Sequence, residues 1–278
     1  GWGETVIDYD FWDNDLSKFI YAGDYVNCFE PGPFISRFDS ALVYDDWMTF
    51  TQDIFISKQN DRLVFGLPTR LSYDGGFNWD TLELEHQLVS VSPFDDAVYF
   101  ALDFTTSFTS AIFKSTDSGN TFTVVDTGGN DWGPKFYYDI DGYHIYRMHT
   151  IQYPNRSLKG SPDRGNAFTW ETLFKTNNYF FISLDESQSG TIFLAVGKKI
   201  YYSSNYGMNF NLYKELDSRI IRIYKKPNSN KLYAATKYRI FEITNETTTV
   251  IKSLPIPEEL LSFYPLKVGS KWIYNYLY

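Results

Sequence analysis

Cysteine occurs once, at Cys28, so neither an intrachain disulfide nor a cysteine-ligated zinc site can form within this chain. The three histidines, His86, His144 and His149, make no metal motif. His144 and His149 are five apart across a predicted strand and face opposite sides. No apolar run approaches the roughly 20 residues that a membrane-spanning helix requires. Helical periodicity is nearly absent, and Pro257-Glu258-Glu259-Leu260-Leu261 offers a single turn. No Gly-rich phosphate loop and no Gly-x-Ser-x-Gly elbow occurs, so nothing in the sequence calls for a cofactor or a metal. Basic residues are outnumbered, 25 Lys and Arg against 34 Asp and Glu, for a net charge of −9. That balance argues against a nucleic-acid or anionic-membrane partner, either of which requires a basic surface. Lys198-Lys199 and Lys225-Lys226 read as ordinary strand-end pairs.

What is present in excess is aromatic. Phe, Trp and Tyr make up 19% of the chain, a composition that suits pleated, half-buried strands. Short apolar runs closed by turn residues fall at 6–11, 53–57, 88–92, 135–138, 179–184 and 220–225. A second strand follows each, starting near Phe19, Leu63, Val98, His144, Ile192 and Leu232. These starts lie 44, 35, 46, 48 and 40 residues apart, close to the ~40–45 residues of a four-stranded propeller blade.

A motif recurs at the same period. Ser115-Thr116-Asp117-Ser118-Gly119-Asn120-Thr121-Phe122 has counterparts beginning at Ser72, Ser161 and Ser203, spaced 43, 46 and 42 residues apart. A Ser and an Asp two apart at a hairpin tip can both turn back onto backbone N–H groups. Gly supplies a backbone conformation that a β-carbon opposes, and the closing aromatic can pack between neighbouring sheets. The expected structural set is Ser72, Asp74, Gly76 and Trp79; Ser115, Asp117, Gly119 and Phe122; Ser161, Asp163, Gly165 and Phe168; and Ser203, Asn205, Gly207 and Phe210. Modules one and six carry eroded versions around 33–40 and 243–247.

These residues resemble the Asp box, or BNR repeat, of sialidases and other β-propellers. The expected fold is therefore all-β: a single propeller of four-stranded antiparallel blades, six in number, with seven as the alternative. Residues 1–265 form it, and 266–278 supply a closing strand or the start of a truncated further module. The resemblance implies that the boxes, on the turns between third and fourth strands, lie opposite the ligand face. With strands lettered A to D, that face collects the B–C and D–A connections.

From second strand to box there are 17 residues in modules three and four, against 9 in module two and 11 in module five. Module one is long as well. The surplus reads as long B–C loops at 24–32, 103–110 and 149–156, joined by the D–A segment 126–134. The ligand candidates there are Asp24, Tyr25, Phe29, Asp103, Phe104, Phe108, Asp131, Trp132, His149, Tyr153 and Arg156. Flat rings beside carboxylates and polar groups suit a sugar or a peptide.

Sialidase activity, as the resemblance would have it, needs three arginines, a Tyr/Glu nucleophile pair, an Asp acid/base and an early Phe/Tyr-Arg-Ile-Pro. The nearest segment, Phe34-Ile35-Ser36-Arg37-Phe38, does not match. The expectation is thus a monomeric, non-catalytic propeller that binds glycan or protein. The alternatives are a sialidase-like glycoside hydrolase and a scaffold domain of a multidomain bacterial surface protein. A start at Gly1 fits either removal of a signal peptide or trimming of the chain. The expected setting is extracellular, periplasmic or cell-surface, in a bacterium.

Overall fold

The computed structural model describes residues 3–11, 18–26, 32–39, 42–47, 53–57, 59–60, 62–67, 70–106, 109–127, 135–152 and 154–253. The segments 257–261 and 266–278, read above as a helical turn and a tail, lie outside them. Within these residues the chain forms six four-stranded antiparallel sheets, each a simple up-and-down meander. Sheet one holds β1 (Gly3–Phe11), β2 (Lys18–Val26), β3 (Gly32–Asp39) and β4 (Leu42–Trp47). Sheet two holds β5 (Asp53–Ile56), β6 (Val64–Leu67), β7 (Arg70–Ser72) and β8 (Asp80–Thr81). Sheet three holds β9 (Gln87–Ser92), β10 (Asp95–Thr106), β11 (Thr109–Ser115) and β12 (Thr123–Thr127). Sheet four holds β13 (Phe136–Tyr138), β14 (Ile145–Gln152), β15 (Asn155–Ser161) and β16 (Glu171–Thr176). Sheet five holds β17 (Phe180–Leu184), β18 (Ile192–Val196), β19 (Lys199–Ser203) and β20 (Asn211–Glu215). Sheet six holds β21 (Ile220–Lys225), β22 (Leu232–Thr236), β23 (Arg239–Ile243) and β24 (Thr248–Ser253).

The expected first strands coincide with β1, β5, β9, β13, β17 and β21, and every box falls between third and fourth strands. In sheet one Asp39 pairs directly with Leu42, which leaves two residues between β3 and β4 where a box would be. In sheet six Thr244 takes over: its hydroxyl accepts the N–H groups of Glu246 and Thr247 at 3.3 and 3.0 Å.

The described residues divide into two compact units, one drawn from 1–103 and 111–124, the other from 104–110 and 125–253. In the first, Phe65 and Leu71 of sheet two pack on Leu88, Val91 and Tyr99 of sheet three. In the second, Tyr146 and Leu158 of sheet four meet Phe180, Ile182, Ile192 and Leu194 of sheet five. Phe193, Ala195 and Ile200 of sheet five likewise meet Ile223, Leu232, Ala234 and Phe241 of sheet six. Sheet five, packed against four on one face and six on the other, buries both, which is why β18 is buried from Ile192 to Ala195. Each fully buried Phe, Leu or Ile contributes about 1.5–3 kcal/mol.

Candidate functional site

An up-and-down sheet has two distinct ends. The A–B and C–D turns share one, and the B–C and D–A connections share the other.

At the box end the polar groups are occupied by their own turns. Ser115 Oγ donates to Asp117 Oδ1 at 2.7 Å and accepts the Gly119 N–H at 2.9 Å. Ser72 does the same with Asp74 and Gly76, at 2.8 Å each, and Ser203 with Asn205 and Gly207, at 2.9 and 3.0 Å. The Asp117 carboxylate accepts both the N–H and the hydroxyl of Thr121, at 2.9 and 2.7 Å. Asp74 accepts the backbone N–H groups of Phe77 and Asn78 and the Asn78 amide. Two successive residues of each box have positive φ: Gly75-Gly76, Ser118-Gly119, Arg164-Gly165 and Tyr206-Gly207. The N–H of the first of each pair donates to a carbonyl in or just beyond the A–B turn of its own sheet, at Arg62, Ala97, Tyr143 and Gly190 respectively. The Ser and Asp side chains and the Gly N–H groups of these turns are thus bonded within the turns themselves.

The third box departs from expectation. Phe168 does not pack between sheets: it is fully exposed, with φ 64°. Two residues more separate Ser161 from its fourth strand than in the other boxes, and Trp170 stands immediately before β16 instead. Trp170 packs edge-on to Phe136 at 6.2 Å and lies 5.7 Å from the Arg147 guanidinium. Ser161 Oγ accordingly meets Thr169 Oγ1, at 2.6 Å.

Neighbouring sheets are tied at the same end. Ser57 donates to Asp96 at 2.7 Å. The buried Asp139 carboxylate takes Ser189 Oγ at 2.7 Å and the Gly190 N–H at 2.9 Å. Asp141 takes His144 Nδ1 at 2.6 Å, and the imidazole stacks on Tyr206 at 3.8 Å. This end braces the structure.

At the other end, the sequence-predicted ligand residues that the structure describes stand on strands, not in loops. β14 runs on to Gln152, which pairs with Asn155 of β15, so the surplus at 149–156 is long strand with a tight connection. β10 and β11 absorb 103–106 and 109–110 in the same way. His149 and Arg156 are buried, whereas Asp103 is exposed, with its carboxylate 3.4 Å from His86 Nδ1. Phe29, Phe108, Asp131, Trp132 and Tyr153, and the side chains of Asp24, Tyr25 and Phe104, lie outside the described residues. Among the described residues no three His, Cys, Asp or Glu come together as a metal site.

Other residues at this end were not foreseen. The Arg156 guanidinium lies 3.5 Å from the ring centroid of Tyr179, which is 52% exposed. Lys237 stands over Tyr238 at 5.0 Å, and Arg222 over Phe181 at 5.2 Å. Deeper in, Asp126 receives Arg147 and Lys159, the latter at 2.7 and 2.6 Å. Burial raises the Asp126 pKa, but the two cations outweigh it and hold the carboxyl below its ordinary value. A sequence signal existed for Tyr179: it opens a first strand, and first-strand starts lie at the B–C end by topology.

No protein-family model matches the sequence, and no curated protein does. Solved structures match in shape. A GH74 enzyme of Niastella koreensis matches with TM-score 0.69 at 13% identity, over 88% of this chain and 46% of that one. A chain of a mitotic checkpoint complex matches with TM-score 0.56 at 12% identity, over 91% of this chain and 78% of that one. The chain thus spans about half the length of the GH74 enzyme. Together with the six sheets, these likenesses establish an all-β propeller of four-stranded antiparallel blades. They establish the fold alone, since propellers host unrelated functions. No helix among the described residues is long and apolar enough to cross a membrane.

Proposed function

We propose that the protein is a non-catalytic, secreted or surface-attached binding propeller of the Asp-box type. Its ligand is a glycan or a protein, met at the B–C and D–A end of its sheets. One contrast carries the reading. The box Ser and Asp groups are committed to their own turns, whereas the opposite end presents Tyr179 exposed beneath a buried arginine. A ring offered to solvent with a fixed cation behind it is a recognition feature, because the ring face suits a sugar or an aromatic side chain. The test is a glycan array combined with a pull-down, alongside hydrolysis assays on the same polysaccharides. Binding without turnover, weakened at least tenfold by Tyr179→Ala, supports the reading. Turnover of any polysaccharide overturns it.

The likeness to a GH74 enzyme favours one second reading, a glycoside hydrolase. It requires two carboxylates about 5–9 Å apart facing one bond. Loss of turnover in Asp→Asn variants at the B–C end, with binding kept, would select it.

A further inference from the structure

We infer that the B–C and D–A end of sheets five and six binds a polyanionic glycan, one bearing carboxylate or sulfate groups along its length. This rests on the ligand-end reading above and names its ligand class.

The net charge of −9 conceals two halves of opposite sign. Residues 1–124 carry 6 Lys and Arg against 20 Asp and Glu, while residues 125–253 carry 17 against 12. Topology then concentrates the positive charge. Lys198, Lys199, Arg219, Lys237, Arg239 and Lys252 all stand at strand ends or connections on the B–C and D–A side of sheets five and six. Register fixes this: Lys199 pairs with Val196 across the β18–β19 turn, and Arg239 pairs with Ser253 at the end of β24. Hydrogen bonds draw the connections together. The Leu216 and Ile220 N–H groups donate to the Lys198 and Gly197 carbonyls at 2.9 and 2.8 Å, setting the segment that bears Arg219 beside the lysine pair.

Only two described carboxylates lie there, and both are engaged: Glu215 with Lys198 at 2.7 Å and Asp217 with Arg239 at 2.6 Å. The opposite end of the same two sheets has Asp185, Glu186, Glu242 and Glu246 against Lys225, Lys226 and Lys231. Charge in these sheets is therefore polarised along the strands, with the excess cations at the end that also carries Tyr238. Such a rim attracts an anion, and the adjacent ring gives a sugar face to stack on. A duplex nucleic acid, with a charge about every 1.7 Å of helix axis, fits less well. The acidic first 124 residues would repel it, and the cationic surplus on these two sheets is small.

Full-length protein is titrated by calorimetry with polygalacturonate, chondroitin sulfate and a neutral β-glucan, at 50 and 200 mM NaCl. The acidic polymers are expected to bind at least tenfold more tightly than the neutral one. The higher salt should weaken them about tenfold, the loss for roughly two released counterions. Lys198→Glu/Lys199→Glu and Arg219→Glu/Lys237→Glu should each lose about tenfold in affinity with unchanged Tm. Should either pair unfold, the salt dependence of the unaltered protein decides. Equal, salt-insensitive binding of the neutral glucan overturns the anionic assignment and leaves the ligand-end reading standing. Tighter binding of single-stranded DNA than of polygalacturonate overturns the glycan assignment. Failure of every polymer, with a protein partner captured that Tyr179→Ala releases, overturns this inference alone. Failure of every polymer with no such partner overturns both.

Discussion

Lys225 of sheet six reaches the Asp185 carboxylate of sheet five at 2.7 Å, and both side chains are almost entirely withdrawn from water. The ammonium also donates to the carbonyls of Lys226 and Ser229, so its donors are satisfied. Breaking such a pair strands a buried charge, at a cost of about 3–5 kcal/mol. Lys225→Met should therefore destabilise the protein by that order in urea unfolding. Burial pushes the Asp185 carboxyl up, but Lys225 and Ser187 hold it below its ordinary value. Its contribution is present at neutral pH and lost on acidification. A variant as stable as the parent at pH 7 would sink the argument.

Gly119 and Gly197 separate backbone strain from crowding. Both have positive φ, 85° and 62°. A β-carbon at Gly197 would meet nothing within 4 Å, whereas one at Gly119 would run into Leu84 Cδ2 and lie 3.3 Å from Tyr99 Cδ2. Gly197→Ala is expected to cost about 1 kcal/mol from strain alone. Gly119→Ala adds overpacking and should cost roughly 1–3 kcal/mol more. Equal losses in paired melts would show that the box glycine is not packed against Leu84 and Tyr99.

The repeat made the architecture legible. Box spacing and apolar runs placed every first strand and four of the six C–D turns, because a period near a blade's length admits few folds. Loop length misled at 103–110 and 149–156, since residue counts cannot distinguish a long loop from two long strands with a tight turn. Phe168 misled because two inserted residues move the packing position to Trp170 without disturbing the Ser-x-Asp-x-Gly spacing. The basic rim was invisible for another reason. Its cations are scattered over some 55 residues of sequence, and only the meander brings them to one end.

Phe168 and Trp170 give that correction a direct test. Phe168 is wholly exposed and Trp170 packs on Phe136 and Arg147. Phe168→Ser should leave Tm within about a degree, because surface changes stay near ±0.5 kcal/mol. Trp170→Ala should cost at least roughly 2 kcal/mol, somewhat less than the ~3–5 kcal/mol for a fully buried Trp. The reverse order would restore Phe168 as the packing residue.

The box carboxylates set an acid limit on the fold. Asp117 is held down to about 2, chiefly by the Thr121 hydroxyl, then by the Thr121 N–H and by Ser115. At Asp74 burial pushes upward, but hydrogen bonds from Asn78, Ser72 and Phe77 outweigh it and bring it to about 2 as well. An unfolded Asp titrates near ~3.9, so between these values the unfolded chain takes up protons that the folded one does not. Stability from both groups is complete above about pH 4 and drains away as the pH falls toward 2. The fourth box shows what an amide can do there: Asn205 Oδ1 accepts Ser203 Oγ at 2.9 Å and the Asn209 N–H at 3.1 Å. Asp74→Asn/Asp117→Asn should therefore fold, with a shallower loss of stability between pH 4 and 2.5 than the parent. Urea midpoints across that range measure it. Parallel curves for the two proteins would mean that acid sensitivity arises elsewhere in the chain.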